Sequence, residues 1–422
     1  MSTFTRRQSL RGLAALATVQ IVPSHVLGLN GQTPPSEQLT RGIIGCGNIC
    51  KHHLPLPGPL LALCDVDSKH LERRMNQVGG EAKGVKPYHD YRELIARDDI
   101  DIVHVCTPPH WHARMAIDAM KAGKDVWAEK PMSRTIGEGD AMVKAAAKYE
   151  RMMRINTWFR FRSTLYGSGM RTSELKKIVS NRLLGWPLKV TVSGITGFNW
   201  KFNWVGRTNL EEQPIPEHLD YDSWLGPAPI KPYHPHRVHS TFRGYWDYDG
   251  GGLGDMGQHY LDPVQYLLEK DDTAPVTVEI DSDPQDDDAV GTWRRITFTY
   301  ADGCQIVLDG ENRDKDAAFI EGPEGKISKN YKSDITDLRR KMKDLPAPPP
   351  MITDFHESVR TRKDFALNEK NGFWSCTLVN LGVIAHRLNQ NLKFDPKTLS
   401  FEDKAANALV NQPAREPWKV EM

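Results

Sequence analysis

One stretch limits the architecture more than any other: Arg41-Gly42-Ile43-Ile44-Gly45-Cys46-Gly47-Asn48-Ile49-Cys50, a short apolar strand running into a glycine turn. Gly45 permits the tight turn. Gly47 lets backbone approach a pyrophosphate, whose charge the unpaired N–H groups of a following helix can neutralise. Cys50 stands where a third glycine or alanine is usual and is small enough for close helix–strand packing. Leu60-Leu61-Ala62-Leu63-Cys64-Asp65 reads as a second strand ending on an acid, roughly twenty residues past Gly45. A carboxylate there accepts hydrogen bonds from ribose hydroxyls and repels a 2′-phosphate by on the order of 1 to 4 kcal/mol. Gly45, Gly47, Asn48, Ile49 and Asp65 are therefore expected to bind NAD rather than NADP.

From Arg41 to Arg154 strand-like and helical patterns alternate, which predicts a doubly wound parallel sheet over 41–154 with helices on both faces. Ile100 to Cys106 and Asp125 to Lys130 read as strands; Ala113 to Lys121 and Ile136 to Tyr149 read as helices. Ligands bind beyond the C-terminal ends of such strands. Thr107-Pro108-Pro109-His110-Trp111-His112 and Glu129-Lys130-Pro131 fall at those ends. The proline after Lys130 holds the backbone extended and removes a donor, so the strand stops there.

After Arg154 the period changes. Leu188 to Gly194, Val276 to Ile280, Trp293 to Tyr300 and Cys304 to Asp309 alternate apolar and polar residues, as strands of an open, mostly antiparallel sheet do. The expected class is α/β followed by α+β, with a second domain over 155–385 and a tail, 386–422, packing back on the fold. An insertion over 198–250 is rich in tryptophan, tyrosine and arginine, fitting either a sugar site or a dimer interface. Lys326 to Lys343 reads as a solvated charged run and Phe373 to Leu388 as a helix. Asp255-Met256-Gly257-Gln258-His259-Tyr260-Leu261-Asp262 follows three glycines; on a helix Asp255 and His259, four apart, share one face. A lysine, a carboxylate and an imidazole can then move a proton.

With 55 Lys and Arg against 54 Asp and Glu, net charge +1, no basic field points to nucleic acid or an anionic membrane. Thr5-Arg6-Arg7-Gln8-Ser9-Leu10, the mildly apolar Gly12 to Val22 and then Pro23 to Gly28 have the layout of a twin-arginine export signal over 1–28, followed by a linker, 29–40. The six cysteines show no metal-like spacing and are expected to be free thiols, with no metal site.

Taken in order, these motifs resemble the Gfo/Idh/MocA (glucose-fructose oxidoreductase / inositol dehydrogenase) family. The resemblance covers nearly everything after residue 40. It rests on the glycine turn, Thr107-Pro108, His112, Glu129-Lys130-Pro131, Ile155-Asn156-Thr157-Trp158-Phe159-Arg160 and Asp255 to His259, with Asn156 standing where a glycine is usual. It implies an oxidoreductase in which Lys130 polarises a substrate hydroxyl, His259 is the general base and Asp255 a second contact. Thr107, Pro108, His112, Glu129 and Lys130 would flank the cofactor, and Trp158, Arg160, Arg243, Trp246 and Tyr260 the substrate. Trp224 to Pro229 and Arg243 to Gly252 look like an exported, carbohydrate-associated branch, which implies oxidation of a sugar or glycoside, often at the 3-hydroxyl. A downstream enzyme would cleave the keto-glycoside. Tightly held NAD, a periplasmic location and a homo-oligomer are further expectations. An NAD-containing redox-neutral glycosidase or lyase is the alternative, and a non-catalytic sensor a third.

Overall fold

In this computed structural model the described residues are 38–411, except 158, 162–164 and 166–169, and 414–419. The export segment and Trp158 lie outside them. Strands β1 (Arg41–Ile44), β2 (Leu60–Cys64), β3 (Lys86–Tyr88), β4 (Ile102–Val105), β5 (Asp125–Glu129) and β6 (Met153–Asn156) form one all-parallel sheet in the order β3-β2-β1-β4-β5-β6. β1, β4, β5 and β6 are buried along their whole length, which is why they read as nearly continuous apolar runs. The crossovers pass through helices that include α1 (Cys50–His53), α2 (Ser68–Val78), α3 (Pro109–Lys121) and α4 (Ile136–Tyr149). Their starts are written locally. The Asp67 side chain accepts from the N–H groups of Lys69 and His70 at the head of α2, and Thr135 with Glu138 forms a capping box on α4.

The sheet reverses direction of growth between β1 and β4, and the crevice at that switch point is where such folds bind ligands. Ile44 pairs with Val105, so the glycine turn after β1 lies against the loop after β4. Gly45 has φ +94°, and a Cβ on it would stand 2.7 Å from the backbone carbon and oxygen of Cys106. Only glycine fits there.

Nine further strands build the second sheet: β7 (Lys189–Ser193), β8 (Thr277–Ser282), β9 (Trp293–Thr299), β10 (Gln305–Asp309), β11 (Ile320–Gly322), β12 (Gly325–Ser328), β13 (Lys332–Ser333), β14 (Leu392–Asp395) and β15 (Ser400–Phe401). Their order is β13-β12-β11-β7-β10-β9-β8-β14-β15, antiparallel except for the parallel pair β7 and β10. Two expectations need correction. The tail is not merely packed against the fold, since β14 pairs with β8 through Leu392 and Val278 and extends the sheet. The charged run from Lys326 is not simply a solvated surface either. It contains part of β12, all of β13 and a helix, Leu338–Lys343, anchored by buried Ile327 and Leu338.

Two helices carry the second sheet against the first domain: α5 (Gly251–Leu267) and α6 (Glu369–Leu388). A Cβ on Gly257 would come within 2.9 Å of Val379, so a bare backbone on α5 is what lets α6 approach. Nearly every residue of α5 is buried, polar ones included, and the reactive side chains therefore project from a rigid element. All six cysteines are buried free thiols. Among the described residues no helix is long and apolar enough to cross a membrane.

Candidate active site

A cleft of about 700 Å³ runs from the glycine turn to the start of α5. That volume lies within the range of roughly 300 to 1,000 Å³ usual for ligand sites. Gly45, Gly47, Asn48, Ile49, Asp65, Thr107 and Pro108 line one end, and Lys130, Asp255, His259 and Arg243 line the other.

At the first end the donor set fits a dinucleotide. Nothing lies within 4 Å of a Cβ built on Gly47, leaving space beside bare backbone. Thr107 Oγ1 is buried among protein atoms without a hydrogen-bond partner, the state expected of a group that meets a ligand. Asp65, at the end of β2, accepts from Cys46 N at 2.6 Å through Oδ2 and from Asp67 N at 2.8 Å through Oδ1. Burial nevertheless pushes its carboxyl up to about 6. Each oxygen keeps a second lone pair for a ribose hydroxyl.

At the second end Lys130 leaves β5 and reaches α5. Its Nζ donates to Asp255 Oδ1 at 2.9 Å and to the Asp255 carbonyl at 2.7 Å. Arg243 Nε donates to the same Oδ1 at 2.8 Å. Burial pushes the Asp255 carboxyl up, but the two cations outweigh it and hold it well below the usual carboxylate range. One turn on, His259 Nδ1 lies 2.9 Å from Thr157 Oγ1, and the Phe159 ring packs 4.7 Å from the imidazole. The i,i+4 spacing thus brings Asp255 and His259 to one wall. Thr157, immediately after β6, was not given a role of its own from the sequence, and only its contact with His259 in the folded chain shows its use.

Other expected site residues sit elsewhere. Glu129 does not line the cleft. It is enclosed behind Lys130, where His53 Nε2 lies 2.8 Å from Oε1, Asn156 donates to the same oxygen, and His104 Nδ1 lies 2.9 Å from His53 Nδ1. Burial pushes Glu129 up, yet His53 and then Lys130 and Asn156 bring it down from 4.5 to about 2. A depressed carboxylate contributes stability that is complete above its unfolded value and lost as pH falls through its folded one, on the order of 3 kcal/mol here. Wild-type protein is therefore expected to lose more stability than Glu129→Gln between pH 5 and pH 2. Parallel urea midpoints across that range would refute the assignment.

His112 is fully buried as well, its ring nitrogens each 2.7 Å from a carbonyl, those of Thr107 and Pro131. It ties the exits of β4 and β5 together instead of touching a ligand. Burial holds it below the ordinary imidazole range, and a neutral ring donates to one carbonyl only. Arg160, 2% exposed, is likewise not a substrate contact: it chelates Asp262 at 2.7 and 3.0 Å and Asp271 at 2.6 and 2.8 Å. Trp246 Nε1 donates to the Asp286 carbonyl at 2.9 Å, and the Tyr260 hydroxyl to the Asn199 carbonyl at 2.6 Å, neither lining the cleft. Successive residues on a helix point about 100° apart, so Tyr260 turns away from the face that His259 presents.

The aromatic insertion is mostly core. Tyr221, Trp224, Tyr233, Tyr245 and Tyr248 pack on one another around Leu219 and Leu225. Trp204, Trp224 and Phe242 reach the cleft, with Arg243 5.0 Å over the Trp204 ring.

Residues 39–157 match the NAD-binding Rossmann fold of the GFO_IDH_MocA oxidoreductase family, and residues 168–420 match that family's C-terminal alpha/beta domain. Curated relatives include glycosyl hydrolase family 109 protein 2 of Shewanella sp. (strain ANA-3), 34% identical over 33% of this chain and 36% of its own length. Another is an alpha-N-acetylgalactosaminidase of Shewanella oneidensis, 32% identical over 33% of this chain and 32% of its own length. The match thus spans about a third of the length of these relatives. A WlbA dehydrogenase from Bordetella pertussis, solved with NADH and UDP-GlcNAcA, shares the fold at a TM-score of 0.57 and 16% identity, covering 85% of this chain and 99% of that one. The glycine turn at the switch point, the two sheets and matches that together run from residue 39 to residue 420 make this chain a member of the Gfo/Idh/MocA oxidoreductase family with an NAD-binding Rossmann domain.

Proposed function

We propose that this enzyme uses NAD to oxidise, or in reverse to restore, a secondary hydroxyl of a sugar or glycoside. The observation that carries this reading is that Lys130, Asp255 and His259 face the same cleft as the glycine turn and Asp65. Gly45, Gly47, Asp65 and Thr107 would hold NAD, which would supply the hydride acceptor for the carbinol carbon. The chain supplies the rest. Lys130, aimed by the Asp255 carboxylate and carbonyl, stabilises the alkoxide that develops on the substrate oxygen. His259 takes the hydroxyl proton, a task that suits imidazole near neutral pH without large tuning. Thr157 fixes the ring's orientation through Nδ1. The Trp204 face offers an apolar surface to sugar C–H groups while Arg243 meets a polar rim. The sugar class draws on the UDP-GlcNAcA bound by the WlbA dehydrogenase and on the glycosidase name of the Shewanella oneidensis relative.

The glycosyl hydrolase names favour one second reading: the same oxidation, then loss of the aglycone together with a neighbouring C–H proton, addition of water and return of the hydride, with no net redox change. Incubation with glycosides of varied aglycone, followed by mass and nicotinamide absorbance, separates the two. A product lighter by about two mass units is the expected keto-sugar. Released aglycone without net NADH supports cleavage, and neither change removes both readings.

His259→Asn is expected to lower kcat by roughly 10²-fold or more with little change in KM. Steady-state kinetics that show KM rising and kcat preserved would assign His259 to binding alone. The export layout of residues 1–28 leads us to place the enzyme in the periplasm, carrying NAD loaded before export and acting as a homo-oligomer ahead of an enzyme that cleaves keto-glycosides. Denatured protein should then release one nicotinamide per chain; loss of NAD on simple dialysis defeats the idea of a resident cofactor.

A further inference from the structure

At the Asp65 end of the cleft stands a group of side chains that the proposed chemistry does not use. Asp67, His70 and His239 each offer one ligand atom, and these atoms all lie within 4.8 Å of one another. We propose that Asp67, His70 and His239 bind one divalent transition ion of the zinc class.

The separations carry the argument. His239 Nε2 is 3.4 Å and His218 Nε2 3.8 Å from Asp67 Oδ2. Both exceed the 2.7–3.2 Å of a normal N–H···O bond. Two donors about 2.0 to 2.1 Å from a tetrahedral zinc ion stand about 3.4 Å apart, the separation of His239 Nε2 from Asp67 Oδ2. The His70 and His239 ring centroids are 4.5 Å apart at 56°, so the rings are tilted rather than stacked face to face.

Asp67 Oδ1 is already taken by the N–H groups of Lys69 at 2.9 Å and His70 at 3.1 Å, which leaves Oδ2 turned to the imidazoles. A carboxylate 2% exposed and facing imidazoles is a preorganised acceptor for a cation. Two imidazole nitrogens and one carboxylate oxygen suit zinc, cobalt or nickel rather than magnesium or calcium.

The scaffold is fixed on both sides. Ser68 N donates to the His218 carbonyl at 2.9 Å and Asp220 N to the Val66 carbonyl at 3.1 Å, so the turn after β2 and the insertion are laced together before any ion arrives. Such an ion would pin the insertion to the first domain at the cleft edge, where His70 and His239 form part of the wall. The expectation of no metal rested on cysteine and histidine spacing along the chain. Asp67 and His70 stand three apart at the head of α2, but His239 comes from far along the chain, and no local spacing joins it to them.

The test uses the full chain, stripped with a chelator, dialysed and titrated with Co(II) alone. One equivalent bound, with the visible absorption of a four-coordinate ion, is the expected result, together with a Tm raised by Zn(II). Asp67→Asn keeps an N-cap acceptor for α2 but removes the anion, so its fold is retained while Co(II) affinity falls at least tenfold. His239→Ala should lose the visible band. Failure of the stripped wild-type chain to take up stoichiometric Co(II), or variants that bind as wild type does, overturns the proposal. Neither readout depends on any sugar being turned over, so its failure is distinct from failure of the proposed oxidation.

Discussion

Lys130→Ala is expected to lower kcat by about 10² to 10³-fold while the NAD content of the protein stays unchanged. The ammonium is the cation on the β5 side of the reaction end, and it is held by two contacts to Asp255 at 2.7 and 2.9 Å. Its removal leaves Asp255 paired with Arg243 at 2.8 Å, so the cleft wall retains a compensated charge and the fold should survive. Asn48, Asp65 and Thr107, at the other end of the cleft, are untouched. Steady-state turnover and nicotinamide released on denaturation measure the two halves separately. Unchanged turnover excludes the role given to Lys130, and parallel loss of NAD would make it a cofactor anchor instead. Lys130→Arg is not expected to rescue, because a planar fork on a three-carbon stem cannot repeat a point charge aimed at one oxygen.

Arg160→Ala is expected to cost about 3 to 5 kcal/mol of stability. Its guanidinium is enclosed, with Asp262 fully buried and Asp271 half-buried on its two edges and the Tyr266 ring 4.8 Å from its centre. Truncation strands the Asp262 carboxylate, already raised by burial even with Arg160 beside it. Without the cation its folded value climbs further. A raised carboxylate destabilises above its unfolded value, and the penalty is relieved as it protonates, so the deficit should shrink as pH falls. Urea unfolding at several pH values measures this. A loss under 1 kcal/mol, or a deficit that grows in acid, would show that the triad is not the anchor described.

Arg160 also shows how a motif can mislead. It ends a stretch, Ile155 to Arg160, that resembles the family pattern, and from sequence an arginine beside a substrate domain is a fair ligand. What decides its use is that Asp262 and Asp271, about a hundred residues away, fold onto it. Glu129 and His112 followed the same course: each flanks the cleft in sequence, yet each is turned inward to hold backbone or a buried histidine. The insertion's aromatics are mostly core, because rings of that size find one another before they find solvent.

Local sterics and periodicity determined a good deal by themselves. A φ of +94° that only glycine tolerates marked the turn at Gly45, two-residue and 3.6-residue periods separated strands from helices, and the spacing of Asp255 and His259 put them on one face. Those are short-range facts, and a sequence holds them within a few residues. Whether a polar side chain ends in the cleft, in a buried ion pair or in a cluster such as Asp67, His70 and His239 depends on partners brought from far along the chain. Burial makes an unpaired charge costly, so each such group is assigned by the partner that tertiary packing delivers, and only the folded molecule decides that.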